Sequence, residues 1–203
     1  VGKFALKFQN IPEINIQLPK KTIDKIQLSI QKSEKRDTKR MYLSKHDKSY
    51  GNATIFYKKE KYDARIRLHG TDAIHFINKK KSYYIKLKKD QFIDNMRRFS
   101  LIIIENNSIA ALFSYSLLDW FTNFKVNSFL VKVKINGVDQ GIYILEEKLH
   151  KTLLERNGLA GYEIIKPNDE WDQQHSDNRY GTRHINPYNW DIGSTRFENL
   201  TKK

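Results

Sequence analysis

Along the first hundred residues, apolar and polar positions alternate in short bursts. Ile14, Ile16 and Leu18 form one burst and Ile26, Leu28 and Ile30 another, with Pro19 and a polar turn between them. A period of two puts successive side chains on opposite faces of a strand, so both stretches are expected as strands. Residues 32–49 are charged and weakly patterned, which predicts an exposed loop. A second strand block follows: Ala53/Ile55/Tyr57, a turn from Lys58 to Lys61, Ala64/Ile66/Leu68, and Tyr83/Ile85/Leu87 returning. The unbroken apolar run Phe99 to Ile104 suits a strand buried on both faces.

The period then changes. Ile109, Leu112, Phe113, Leu117, Trp120 and Phe121 recur at three- and four-residue spacing, one face of a helix that Asn107 or Ser108 can cap. In FLVKVKINGVDQGIYIL, Phe129/Val131/Val133/Ile135 and Ile142/Ile144 flank the turn pair Asn136-Gly137, predicting a hairpin over 128–147. A short helix from about Glu147 should stop at Asn157-Gly158. Strands, helix, hairpin, helix is the order of an α+β lobe: an antiparallel sheet with one or two packed helices. One core cluster is expected from Ile66, Leu68, Ile85, Leu87, Leu112, Phe113, Trp120, Val131, Val133, Ile144 and Leu153. Residues 1–50 read as N-terminal strands and a basic loop of the same domain as 51–166. Residues 167–203 are an irregular tail that can begin a second lobe.

Composition adds two constraints. With 39% hydrophobic and 12% aromatic residues among 203, the chain has the apolar content of a folded body. No run reaches the roughly 18–20 apolar residues of a membrane span, and the N-terminus has no signal-peptide core. The absence of cysteine excludes disulfides and thiolate metal sites. Charge is the sharper clue. The net +14 sits in the first half: residues 1–104 hold 25 Lys/Arg against 10 Asp/Glu, residues 105–203 hold 12 against 13. Such a surplus suggests an anionic partner: nucleotide phosphate, nucleic acid, an acidic polymer or a membrane surface. Lysine-rich solvent faces account for the same count equally well.

The densest chemistry lies in RIRLHGTDAIHFINKKKSYYIKL, residues 65–87. Arg65, Arg67 and His69 fall opposite Ile66 and Leu68, while Ser82, Tyr84, Lys86 and Lys88 fall opposite Tyr83, Ile85 and Leu87. Arg67 and Lys86 can thus leave one polar sheet face, held by strands, as a phosphate clamp requires. The plainer alternative is a hairpin with a solvated lysine face. His69, Asp72 and His75 match no strong metal spacing, and His75 is expected to order the loop by hydrogen bonding. His175 and His184 carry still less. No phosphate-binding GxxxxGK[ST] loop, GxSxG elbow or HExxH pair is present. A nucleic-acid reading has the basic half and interleaved tyrosines, but no recognised module pattern.

The segments ARIRLHG, KKKSYYIKL, VKVKINGVDQGIYILEEKLHKTLLERNG and YEIIK, in this order over about residues 50–166, resemble the spore coat protein H (CotH) kinase-like family. The resemblance implies the nucleotide-binding lobe of an atypical protein kinase that uses ATP with Mg²⁺ or another divalent metal. The family acts on serine in secreted or coat proteins, which implies an extracytoplasmic or cell-surface setting and a serine-bearing protein substrate. By position, Lys80, Lys81, Ser82 and Lys86 fall on the family's basic strand, Gly70 opens its loop, and Glu147 matches the carboxylate closing the hairpin motif, with Glu146 beside it. Arg67, Lys81, Lys86 and Glu147 are therefore expected to bind the nucleotide, Lys86 foremost. Two departures stand out: Gly70-Thr71-Asp72-Ala73 replaces Gly-Asn-Ser-Ser, and Ala110-Ala111 stands where the family often has arginine. Phosphoryl transfer also needs carboxylates for base and metal. The family's lie C-terminal to the matched segment, and Asp172, Asp177 and Asp191 sit in no recognised motif. The expectation is an ATP-binding part, catalytically incomplete alone, that is a kinase only with a second lobe in its parent. The alternative is a non-catalytic interaction domain whose basic face binds an acidic protein, glycan or nucleic acid.

Overall fold

The structure is a computed structural model that describes residues 11–35, 42–44, 46–104, 108–162, 165–167 and 190–192. The chain divides into two compact units, residues 1–148 and 149–203. In the first, β1 (Glu13–Gln17), β2 (Gly51–Tyr57), β3 (Glu60–Leu68), β4 (Tyr83–Leu87), β5 (Arg98–Ile103), β6 (Ser128–Ile135) and β7 (Val138–Glu147) close into a barrel in the order β1-β2-β3-β4-β5-β7-β6. Every neighbouring pair is antiparallel except β1 and β6, which run parallel with Ile14 opposite Val133 and Ile16 opposite Ile135.

This corrects the expected open antiparallel sheet with packed helices and its likeness to a kinase lobe. Alternation gives each strand one apolar face, and something must cover it. Here the sheet curls so that those faces cover one another. Ile14, Ile16, Ile55, Ile66, Ile85, Phe99, Leu101, Val131, Val133 and Leu145 are all fully buried in one cluster. Closure is secured at the β6–β7 turn. The Leu18 amide donates to the Asn136 side-chain oxygen at 2.7 Å, and the Asn136 amide nitrogen donates to the Leu18 carbonyl at 3.1 Å. The turn itself is as the sequence predicts, with Asn136 and Gly137 at φ of +49° and +81°. A two-residue hairpin needs that left-handed pair.

Three further expectations change. Ile26, Leu28 and Ile30 belong to α1 (Lys20–Glu34), not a strand. Its buried positions are Thr22, Ile26, Ser29, Ile30 and Ser33, a helical spacing hidden because its inner stripe includes small hydroxyl residues, while Leu28 is exposed. Thr22 presses so closely on Gly51 of β2 that a Cβ there would lie 2.3 Å from the threonine methyl. Within 32–49, Ser33 donates to the Tyr42 carbonyl and Leu43 is fully buried in the core, so the segment is not simply exposed. And α2 (Ser108–Phe121) forms, but Phe113 is 60% and Trp120 72% exposed, with Phe121 exposed too. The proposed cap Asn107 and the side chain of Ile109 lie outside the described residues.

Ile144 is buried but pairs with Ile102 and Leu130, on the outer face of β7 rather than in the interior. In the second unit, α3 (Lys151–Arg156) starts four residues after Glu147, which ends β7. It buries Leu153 and Leu154 and stops at Asn157 and Gly158, whose φ is +73°. β8 (Ile165–Pro167) and β9 (Trp190–Ile192) form a separate antiparallel pair. No described helix is long and apolar enough to cross a membrane.

Candidate anion-binding face

Because Ile66, Leu68, Ile85 and Phe99 point into the barrel, their neighbours along each strand point out. Two rows result. Arg65 of β3 lies opposite Lys86 of β4, which lies opposite Arg98 of β5. In the next row Arg67 lies opposite Tyr84, Tyr84 opposite Ser100, and Ser100 opposite Glu146 of β7. Arg67 and Lys86 thus share the outer face of adjacent strands. Among the described residues none of Arg65, Arg67, Lys86 and Arg98 is in an ion pair.

Aromatic rings hold the two arginines of β3. The Arg65 guanidinium sits 4.8 Å from the Tyr50 ring centre, and that of Arg67 sits 5.2 Å from Tyr50 and 4.9 Å from Tyr84. Each such contact is worth about 0.5–1 kcal/mol at an exposed site and fixes the guanidinium plane. The Nε atoms of Arg67 and Arg98 are nonetheless buried without a hydrogen-bond partner. Crowding of like charge shows on Lys86, whose pKa is lowered first by the Arg98 charge, then by burial and by Arg97 and Arg65. An anion laid on this face relieves that repulsion.

The 69–82 connection is organised by packing. Gly70 has φ +81°, and a Cβ there would lie 2.2 Å from the His75 ring, so only glycine fits. Ser82 is fully buried. Its hydroxyl accepts from the Ile103 amide at 3.1 Å and lies 3.0 Å from His75 Nδ1. Fully buried Ser100 lies 3.3 Å from His69 Nδ1, and burial, then the Lys148 charge, hold the His69 pKa well below 6.5. Lys80 and Lys81 do not join Arg67 and Lys86. Lys80 donates to the Ile142 carbonyl at 2.5 Å and lies over the Tyr143 ring; Lys81 donates to Asn78 within its own loop, with its pKa lowered by burial.

The two adjacent glutamates part company. Glu147 lies opposite Phe99 with the interior residues, 3% exposed, and its carboxylate accepts the Asn127 amide at 3.1 Å. Glu147 is therefore not on the cation face where a nucleotide-binding role would put it; Glu146 is, facing outward opposite Ser100 and pairing with Lys148 at 2.7 Å. Lys148, Arg98 and Tyr50 are members of this neighbourhood that the sequence reading passed over. Lys148 was detectable, since it lies two residues beyond Glu146 at strand period. Arg98 was hidden because its strand reads as a continuous apolar run.

His69, Asp72 and His75 form no metal site: among the described residues His, Asp and Glu do not gather in groups of three. His175, His184, Asp172, Asp177 and the side chain of Asp191 lie outside the described residues. A family model described as CotH kinase protein matches residues 66–199, which takes in β4 to β7, the loop anchored by Ser82 and most of the cation rows. A search of curated proteins returned no match.

Proposed function

The chain belongs to the CotH kinase family, and from that premise we propose that its barrel is the nucleotide-binding part of a kinase-related protein, taking ATP, accompanied by a divalent metal, by its phosphates. The observation that carries this reading is the pair Arg67 and Lys86, on one face of adjacent strands with no described ion-pair partner. Phosphate oxygens are multivalent acceptors, and a guanidinium held between Tyr50 and Tyr84 presents a planar fork to them. Lys86 adds a point charge from the next strand. Because both leave strands, little freedom is lost on binding. The barrel interior is filled, so the ligand lies on the outer face. The phosphate contacts are all to this chain's cations. Glu146, paired with Lys148, is a carboxylate that borders the face.

Calorimetry with ATP, with and without Mg²⁺, tests the reading. Charge-assisted contacts contribute about 1.5–3 kcal/mol each, so Arg67→Ala and Lys86→Ala should each weaken binding by about tenfold or more. Lys81→Ala should leave it unchanged, since that ammonium is tied to Asn78. Affinity indifferent to both Arg67 and Lys86 would overturn the proposal.

A further inference from the structure

Beside the Lys86 row lies a cleft of about 510 Å³, lined by Arg65, Lys86, Lys88, Lys89 and Arg97, with Asp63 as its carboxylate. Asp63 is engaged by Lys88 at 3.7 Å, and the Nε of Arg97 is buried without a hydrogen-bond partner. Asn52 and Thr54 of β2, paired with Arg65 and Asp63 on β3, add neutral polar groups along its side. We propose that this cleft, which shares Lys86 with the nucleotide face and extends from it through Lys88, Lys89 and Arg97, docks an extended acidic segment of a partner protein.

Three features select that ligand among anions. The first is spacing. Lys86 is the last but one residue of β4, and beyond its end at Leu87 the Lys88 amide still donates to the Asp63 carbonyl, so the strand register runs on and the two lysines stay on one face. Residues two apart on an extended chain are separated by about 6.4–6.8 Å, the same step at which glutamates in an alternating Glu-X-Glu segment recur. Strand-spaced cations thus meet strand-spaced carboxylates in register. The second is the lack of rings. Among the described residues no aromatic side chain lines the cleft, and the nearby Tyr50 and Tyr84 faces are taken by Arg65 and Arg67. Single-stranded nucleic acid draws much of its affinity from base stacking on free rings, which this cleft does not offer. The third is the wall of Asn52 and Thr54, whose amide and hydroxyl match peptide N–H and C=O groups rather than a bare inorganic ion.

The test uses the full chain and a fluorescein-labelled decapeptide of alternating glutamate and serine, read by anisotropy at physiological salt. Saturable binding is expected, with the dissociation constant raised at least tenfold by the double variant Lys88→Glu/Lys89→Glu. Both lysines are exposed, so the fold is retained, and Arg97→Gln gives an independent second lesion in the same direction. ATP calorimetry on the Lys88/Lys89 variant should match the unmodified chain, which separates failure of this inference from failure of the nucleotide reading. A scrambled peptide with its glutamates clustered should bind more weakly than the alternating one. A ten-residue oligothymidylate bound as tightly as the peptide, or peptide binding indifferent to the charge reversal, would overturn the proposal.

Discussion

At the scale of single residues, several positions that attract attention as chemistry turn out to be architecture. Ser82, inside the lysine-serine-aromatic motif, is buried and spends its hydroxyl on the Ile103 amide and His75. Gly70 is fixed by a ring 2.2 Å from where its Cβ would be. A sequence shows that such residues are special but not whether a ligand or the chain itself makes them so, because that depends on what folds over them. His69 makes this testable. Burial depresses its pKa below the unfolded value of 6.5, so near and below that pH the unfolded chain binds the extra proton. Stability is fully present above about pH 6.5 and falls as the pH drops from there toward the folded-state pKa. Urea melts at pH 7.5 and 5.0 should show the loss, and His69→Asn should reduce it. An equal pH dependence in that variant would mean another group is responsible.

Among the elements, the hairpins were legible and the helices less so. β2–β3 and β6–β7 combine alternation with a turn pair at positive φ, Lys58-Lys59 and Asn136-Gly137, and both formed. α1 was misread because Ile26, Leu28 and Ile30 happen to alternate. Its true inner stripe depends on Ser29 and Ser33, which no hydropathy pattern counts as core. α2 was read correctly as a helix and wrongly as core, since periodicity reports which face is apolar, not whether anything covers it. Asn136 shows how far one turn residue can reach. Its side chain ties both backbone groups of Leu18, 118 residues away in sequence. Asn136→Gly keeps the left-handed turn but removes both bonds, leaving the Leu18 amide and carbonyl short of partners. A loss of about 1–3 kcal/mol in chemical denaturation is expected. A loss within about 0.5 kcal/mol, the range of ordinary surface substitutions, would show that the clamp does not stabilise closure.

For the molecule as a whole, the property least visible in the sequence is the closure itself. Each strand announces its own dry face, but nothing local says that β1 will pair in parallel with β6, far along the chain. Alternation alone puts Arg65, Arg67 and Lys86 on one face of a sheet; that this face is the outside of a barrel, and that Arg98 joins it, follows only from closure. An open sheet and a closed barrel respond differently to damage in β1. Asn15 pairs with Phe56 on one side and Lys134 on the other, and its side chain lies off the fully buried core. Asn15→Pro removes an amide and stiffens a strand flanked on both edges, a position that proline does not tolerate. In a barrel, the damage opens two seams, so amide exchange should accelerate in both β2 and β6. β4 and β5, whose neighbours are intact, should remain slower than either. In an open sheet with β1 at its edge, only β2 would respond. Acceleration confined to residues 51–57, with 128–135 unchanged, would therefore refute closure and return the cation face to an open sheet.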